Sequence, residues 1–220
     1  MKNEKEEKWL NARIGNFTAS NCHKLLVSGK SKDKIFGETA MSYILEVTAE
    51  MLTGESAPYA TSRSIEWGNE HEAEAMAAYI SKTGKQNVHY FGKENPVFFP
   101  LNDLPCGGSP DGLIENERVV EIKCPYNTSN HIENCMMDLE TFKKERKEYY
   151  AQCQMLMIVT NTLYADFCSY DPRIINDDLK LFILEVPFDV DFCNNLLNRI
   201  KLAVSLRNDI FKSILLKKEA

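Results

Sequence analysis

The amino-acid pattern that most constrains the fold is a change of hydrophobic period in the middle of the chain. On both sides of this region, apolar residues recur every three or four positions, as in amphipathic helices. Between about residues 88 and 124 they fall instead in short segments rich in β-branched and aromatic residues, bounded by Gly, Pro and Asn, which is typical of strands. The sequence therefore predicts an α/β or α+β fold, with a central mixed β-sheet flanked by helices.

Periodicity and capping residues divide the chain into elements. The predicted helices are Thr18 to about Val27, Glu38–Thr53, Ser62 or Ser64 to about Lys82, Asp138–Thr160 and, as one or two helices, Asp191–Lys217. The predicted strands are Val88–Phe91, Val97–Phe99, Ser109–Glu115, Arg118–Cys124, Leu163–Tyr170 and Leu179–Val186. The length of 220 residues favours one domain, with a helical part (about 1–85), a sheet core (about 86–190) and a C-terminal helix (about 191–217).

Composition excludes several classes of protein. No apolar run approaches the ~20 residues of a membrane-spanning helix, and the charged N-terminus lacks the apolar segment of a secretory signal. The seven cysteines include no CxxC pair, which favours reduced thiols in a cytoplasmic protein over a disulfide framework, a zinc site or an iron–sulfur cluster. The net charge of −6 argues against a nonspecific nucleic-acid coat, but basic residues confined to one channel could still bind DNA.

The most informative segment is a Ser-Pro-Asp-Gly turn at 109–112 followed by the strand Arg118–Cys124. Alternation along this strand places Val120, Ile122 and Cys124 on an apolar face, with Val119, Glu121 and Lys123 on the other face. A hairpin loop of three residues, 115–117, would set Asp111 opposite Glu121, whereas a two-residue loop would offset the two acids by one position. In either register, two carboxylates and one ammonium group converge.

This cluster has the chemistry of a site for a hard divalent cation. Asp111 and Glu121 supply carboxylate oxygens, and the main-chain carbonyl of Ile122 adds a third oxygen. Mg²⁺ would keep water in its remaining positions, and one such water can attack a phosphodiester. Lys123 could orient that water or offset the charge that grows on the phosphate. The competing interpretation is a surface strand with a Glu–Lys pair and a turn Asp.

Two helical residues are further candidates for this site. Glu72 falls on a helical stripe with Ala75 and Tyr79 that should face the core, and a buried carboxylate needs a partner such as a metal-bound water. A slightly rotated helix would instead leave Glu72 at the edge of the stripe. Gln152 shares a helix face with Tyr149, so its amide could hold the attacking water or support Lys123. Gln152 could equally bond to nearby main chain.

The segment 13–20, Arg-Ile-Gly-Asn-Phe-Thr-Ala-Ser, combines groups that bind anions. Free N–H groups at a helix start, the hydroxyls of Thr18 and Ser20 and the guanidinium of Arg13 would form a pocket for a terminal phosphate. The alternative is a capped helix with a solvated arginine. The lysines of the loop 28–34 could contact DNA or could simply be solvated.

Four blocks together resemble the bacteriophage lambda exonuclease family, also called the YqaJ viral recombinase family, of the PD-(D/E)xK nuclease superfamily. The blocks are RxGxxTAS (Arg13–Ser20), WGxxxE (Trp67–Glu72), SPDG with ExKCP (Ser109–Gly112 and Glu121–Pro125) and YxAQxQ (Tyr149–Gln154), and the run Tyr170–Arg173 also looks like that family. The resemblance covers about residues 9 to 190. It implies a restriction-endonuclease-like core.

The resemblance also implies an activity and its partners. Members of the family are Mg²⁺-dependent 5′→3′ exonucleases that degrade one strand of duplex DNA from its ends and leave a 3′ overhang. Mn²⁺ is a possible substitute for Mg²⁺. They form ring-shaped homotrimers and work with a single-strand annealing protein in phage recombination. We therefore expect a phage or prophage protein that acts in the cytoplasm of a bacterial host, with no membrane partner.

Site residues carry over from the family position by position. The resemblance makes Asp111 and Glu121 the metal carboxylates, with Ile122 supplying its carbonyl and Lys123 as the catalytic lysine. Glu72 and Gln152 complete the catalytic set. The family positions that receive the 5′ phosphate match Arg13, Ser20 and Ser109. Lys30 lies in the loop where that family has an arginine.

Two rival functions differ from this expectation in what they do to DNA. A restriction-like or junction-resolving endonuclease on the same fold would cut covalently closed circles. A noncatalytic DNA-end-binding scaffold would bind duplex ends without hydrolysis, although such a protein has no evident need for two acids beside a lysine.

Overall fold

The helices and strands alternate along the chain in a mixed arrangement. The structure, a computed structural model, describes residues 4–31, 33–56 and 62–216, so Lys32 of the basic loop and Lys217 of the predicted last helix lie outside the described residues. The helices are α1 (Glu4–Arg13), α2 (Glu38–Thr53), α3 (Arg63–Thr83), α4 (Thr128–Cys135), α5 (Leu139–Glu145), α6 (Lys147–Thr160) and α7 (Val190–Leu216). The strands are β1 (Phe17–Thr18), β2 (His89–Tyr90), β3 (Phe99–Pro100), β4 (Cys106–Gly108), β5 (Gly112–Ile114), β6 (Arg118–Lys123), β7 (Tyr164–Tyr170) and β8 (Leu181–Pro187).

The strands form two mixed sheets. The larger sheet has the order β2-β5-β6-β7-β8, in which β6 pairs antiparallel with β5 and parallel with β7. The smaller sheet has the order β1-β4-β3, with β1 parallel to β4. The predicted fold class, a mixed sheet flanked by helices, is confirmed, whereas the second sheet was not predicted.

The central strand β6 is covered on both faces. Val119 belongs to a large apolar cluster with residues of α2, α6 and α7, whereas Val120 and Ile122 belong to a second cluster that includes Ala75 and Tyr79 of α3. Strands buried on both faces are common where helices cover the two sides of a sheet. The interpretation of β6 as a surface strand is therefore wrong, and the face that carries Glu121 is an interior face.

The predicted helix from Thr18 is wrong. Residues 17 and 18 form β1, because the Thr18 N–H donates to the hydroxyl of Tyr43 at 2.8 Å and Thr18 pairs with Gly107 of β4. A short 3₁₀ helix begins only at Cys22 and ends at Leu26. Local capping preference was outweighed here by a pairing with a strand about 90 residues away.

The other helix predictions are confirmed in part. The predicted ranges of α2 and α3 are confirmed to within a residue or two, and each helix is followed by a glycine with positive φ, Gly54 or Gly84. The predicted helix 138–160 is two helices, because Arg146 leaves the helical conformation at φ −122° and ψ 50°. Helix α4 was not predicted, and α7 is one continuous helix. None of the described helices is both long enough and apolar enough to cross a membrane.

An ion pair holds the end of β7 to the loop after β6. Arg173 donates to both carboxylate oxygens of the buried Asp171, each at 2.8 Å, and also to the carbonyl of Pro125 at 3.2 Å. Burial alone would raise the pKa of Asp171, but the hydrogen bonds from Arg173 outweigh it and hold the pKa below its ordinary value. The folded state therefore favours the charged form of this carboxyl group.

Replacement of Asp171 by Asn is expected to lower the free energy of unfolding by about 2 kcal/mol at pH 7, because bonds to a charged acceptor are lost. A depressed pKa stabilises the fold above the unfolded-state value of 3.8, and this contribution is lost as the pH falls below it. Urea unfolding of both proteins should therefore give a difference that shrinks below about pH 4. Asp177→Asn, which removes an exposed pair with Lys180, should leave stability unchanged. A constant difference at every pH would contradict the account.

Candidate active site

The hairpin of β5 and β6 brings Asp111 beside Glu121. Gly112 pairs with Val120 and Ile114 with Arg118, so the loop has three residues and the register extends to Asp111 opposite Glu121. The Ile122 N–H donates to Asp111 Oδ2 at 2.6 Å, which fixes the carboxylate against β6. Of the two registers left open by the sequence, the structure has the one with the acids opposed.

Glu121, which is buried, and Lys123, which is half-buried, form an ion pair on the inward face of β6. Glu121 is 1% exposed, and Lys123 Nζ donates to its Oε1. Lys123 Nζ also lies 5.3 Å from the centre of the Tyr149 ring, which is favourable for a cation. The second oxygen, Glu121 Oε2, is buried and has no hydrogen-bond partner in the described part of the chain. One acceptor at the centre of the cluster is thus left for another group.

Glu72 reaches the same cluster from α3. It lies one helical turn before Ala75, the first buried residue of α3. Its Oε1 accepts a hydrogen bond from the Tyr90 hydroxyl at 3.1 Å. The prediction that Glu72 faces inward is matched by its position. No sequence pattern indicated that Tyr90 on β2 would be its partner.

Excess negative charge is the main electrostatic property of the cluster. Burial raises the pKa of Asp111, and the charges of Glu121 and Glu72 raise it further. Burial also raises the pKa values of Glu121 and Glu72. Burial alone would lower the pKa of Lys123, but the neighbouring Glu121 and Asp111 outweigh it and hold the pKa above its ordinary value. One ammonium group does not neutralise three acids, so a bound cation would stabilise their charged forms.

The cluster opens into a cleft of about 760 Å³, a volume typical of small-molecule sites. Its lining includes Glu72, Asp111, Ile122, Lys123, Tyr149 and Arg146. Gln152 is buried on α6, three residues after Tyr149, and is not among the lining residues. The sequence did not single out Arg146, which bonds Asn134 and Glu133 of α4 and so ties two helices at the wall of the cleft.

The predicted phosphate-binding residues divide into two groups. Trp9 Nε1 donates to Ser109 Oγ at 2.8 Å, and the guanidinium of Arg13 lies 4.4 Å from the centre of the Trp9 ring. The Ala19 N–H donates to the carbonyl of Gly107, which holds Ser20 close to the start of the Ser-Pro-Asp-Gly turn. Trp9 therefore links Arg13 to Ser109, and the pairing of β1 with β4 brings Ser20 into the same region.

Two details of the predicted phosphate pocket change. The N–H groups of Thr18 and Ala19 already donate to Tyr43 and Gly107, so they are not the free amides of a helix start. Lys30 lines a different groove, between the loop before α2 and helix α7, and the lining of that groove includes none of Arg13, Ser20 and Ser109. The structure thus separates Lys30 from the other three.

The residues of the cluster fit a hard divalent ion that keeps most of its water. Within residues 4–31, 33–56 and 62–216, no three His, Cys, Asp or Glu side chains form a ready-made cage for a metal. Mg²⁺, however, is usually bound through one or two carboxylates with several waters retained. The unpartnered Glu121 Oε2 and the raised pKa of Asp111 show that the cluster lacks positive charge. Asp111, Glu121 and the carbonyl of Ile122 could supply the protein oxygens.

A mixed sheet whose central hairpin carries an Asp, a Glu and a Lys over a cleft defines a deoxyribonuclease of the PD-(D/E)xK class. Residues 8–162 match the family model of the YqaJ-like viral recombinase domain. The chain belongs to this family, which confirms the resemblance drawn from the four sequence blocks and supports a nuclease role in recombination.

Solved structures agree with this assignment. An alkaline exonuclease from Laribacter hongkongensis is 28% identical with a TM-score of 0.77, over 97% of this chain and 98% of that one. The same enzyme in complex with dAMP gives a TM-score of 0.79. A phage-related exonuclease from Haemophilus somnus 129PT, 19% identical, has the same fold, with a TM-score of 0.71 over 92% and 96% of the two chains. No curated protein matches the chain significantly.

Proposed function

We propose that this protein is a Mg²⁺-dependent 5′→3′ exonuclease that degrades one strand of duplex DNA to 5′ mononucleotides. The 3′ single-stranded overhangs it leaves would serve phage-type recombination by strand annealing. The observation that carries the proposal is the pairing of the buried Glu121 with Lys123, with Asp111 beside them at a cleft. A binding module gains nothing from burying such a charged set, which costs several kcal/mol per ion before any compensation.

Each residue of the cluster has a proposed task. Asp111, Glu121 and the Ile122 carbonyl would hold the ion, which when bound supplies a Lewis acid for the phosphate and lowers the pKa of water. Lys123, whose raised pKa keeps it protonated, would donate to the phosphate oxygen on which charge grows. Glu72, steadied by Tyr90, would accept a hydrogen bond from the attacking water. Gln152 would support this arrangement from α6.

The family supplies the rest of the proposal. The Laribacter hongkongensis relative binds dAMP, a mononucleotide, which supports mononucleotides as the products here. By analogy within the family, we infer a homotrimeric ring around duplex DNA, a single-strand annealing protein as partner and action in the cytoplasm of a bacterial host. We also infer that residues 1–220 act as a single nuclease domain, and that Mn²⁺ can replace Mg²⁺.

Digestion of two DNA forms tests the proposed activity. With purified protein and Mg²⁺, linear duplex DNA should be degraded to mononucleotides and covalently closed circular DNA should stay intact. Cutting of the circle would favour an endonuclease on the same fold. Tight binding to duplex ends without hydrolysis in Mg²⁺ or Mn²⁺ would favour a noncatalytic scaffold.

Replacement of Arg13 by Ala is expected to slow digestion of 5′-phosphorylated duplex by about 10- to 100-fold, because a guanidinium–phosphate contact is a charge-assisted hydrogen bond. The parent should prefer phosphorylated over 5′-hydroxyl ends, and the variant should lose this preference. Initial rates on the two substrates measure both effects. Lys30→Ala, in the separate groove, serves as the control and should retain the preference. Equal rates of the parent on the two ends would remove the phosphate pocket from the account.

A further inference from the structure

Tyr126 is an exposed aromatic side chain at the wall of the cleft. It follows Lys123 by three residues, in the loop between β6 and α4, and it is 48% exposed. It lines the same cleft as Asp111 and Lys123. An aromatic ring that stays half open to solvent beside an acid–lysine cluster is placed to contact whatever occupies the cleft.

The ring is held in place by a stack of side chains behind it. Trp67 meets Tyr126 edge to face, with the ring centres 6.1 Å apart and the planes at 83°. His71 stacks on Trp67 with centres 3.8 Å apart, and the guanidinium of Arg173 lies 4.3 Å from the centre of the same indole. The buried Asp171 holds Arg173 in this stack, because both of its carboxylate oxygens accept hydrogen bonds from the guanidinium.

The main chain beside Tyr126 is fixed by the same group of residues. Arg173 donates to the carbonyl of Pro125, directly before Tyr126. The Tyr170–Arg173 run thus supports this loop from outside the cleft, since none of its side chains lines the cleft. Ring and backbone are both positioned before any ligand arrives, which lowers the entropy cost of binding.

We propose that Tyr126 is a stacking platform for a base of the strand that is being degraded. The inference rests on the proposed function and names the group that binds the nucleotide's base. Stacking on an aromatic ring accepts all four bases, as an enzyme that digests any sequence requires. The amide side chains of Asn69, Asn127 and Asn130 line the same cleft and can bond to base edges or sugar. The charged cluster would bind the phosphate, whereas the wall formed by Tyr126 and the three asparagines is suited to a flat aromatic group.

The test pairs changes in the protein with changes in the DNA. Tyr126→Ala, Tyr126→Phe and the parent are compared on 5′-phosphorylated duplexes with an abasic residue at the first, second or third nucleotide of the degraded strand, or at none. As a control, Tyr164→Ala removes a tyrosine of similar exposure that lies outside the cleft. The readouts are kcat/KM with Mg²⁺ and, independently of hydrolysis, Kd for the same duplexes with Ca²⁺.

If Tyr126 stacks on a base, the loss caused by removing the ring and the loss caused by removing that base should not add. On intact DNA, Tyr126→Ala should lose about 5- to 150-fold, whereas Tyr126→Phe and Tyr164→Ala should resemble the parent. With an abasic residue at the stacked position, the parent should lose activity or affinity and Tyr126→Ala should lose nothing more.

An equal loss for Tyr126→Ala on all four duplexes would overturn the proposal, because the ring would then support the fold rather than a base. If the parent hydrolyses no DNA, the proposed function fails but the Kd values still decide whether the coupling exists. Absence of any DNA binding would overturn both.

Discussion

Asp111→Asn is expected to lower the rate of Mg²⁺-dependent DNA hydrolysis by at least about a thousandfold, which corresponds to roughly 4 kcal/mol of activation free energy. The substitution removes one of the two carboxylate ligands proposed for the ion and with it much of the charge stabilisation at the phosphate. The amide oxygen of Asn can still accept the Ile122 N–H, so the hairpin should keep its register. Initial rates on 5′-phosphorylated duplex measure the loss.

The same variant should be more stable than the parent when no cation is bound. Asp111 carries a raised pKa because of burial and the neighbouring Glu121 and Glu72, so its charge destabilises the fold near pH 8 without a cation. Asp111→Asn should therefore raise the melting temperature in EDTA and lose the stabilisation that Mg²⁺ gives the parent. Asp103→Asn, an exposed acid outside the cleft, is the matched control. A fully active Asp111→Asn would remove the proposed mechanism.

Lys123→Met is expected to reduce hydrolysis by roughly a hundredfold or more and to destabilise the protein by about 3–5 kcal/mol. The reason is that Lys123 is the ion-pair partner of the buried Glu121, and an unpaired buried charge is costly. Saturating Mg²⁺ should reduce the stability deficit by binding between Asp111 and Glu121, but it should not restore the rate, because the ammonium donor is gone.

Urea unfolding with and without Mg²⁺ measures the first effect of Lys123→Met, and single-turnover digestion measures the second. Lys85→Met is the matched control, since Lys85 pairs with Glu117 at the surface and that pair is screened by solvent. It should change stability far less and leave the rate unchanged. A stable Lys123→Met protein would show that Glu121 has another partner, and an active one would show that the ammonium group takes no part in the reaction.

The parts of the site that could be predicted are those encoded within a short stretch of chain. Asp111, Glu121 and Lys123 lie on one hairpin, where alternation and loop length decide which side chains meet. Glu72 could be placed because the helical stripe of α3 is regular and its ends are capped by Ser62 and Gly84. Local rules of this kind do not depend on the rest of the fold.

The parts that could not be predicted depend on contacts between distant segments. The Cys-Gly-Gly strand β4 has no β-branched residue, and its pairing with β1 overrides the helix expected from Thr18. Arg146 interrupts the predicted helix where its guanidinium binds Asn134 and Glu133, a contact that no local pattern shows. The Trp9–Ser109 bond, which links the phosphate region, spans 100 residues.

The most direct test of the central claim is a crystal structure of the protein at saturating Mn²⁺, with anomalous difference density used to locate the ion. A peak is expected between Asp111 and Glu121, within coordination distance of one oxygen of each and of the main-chain oxygen of Ile122. Lys123 Nζ should face the same cavity. Absence of a peak there, or a peak ligated by other residues, would contradict the account.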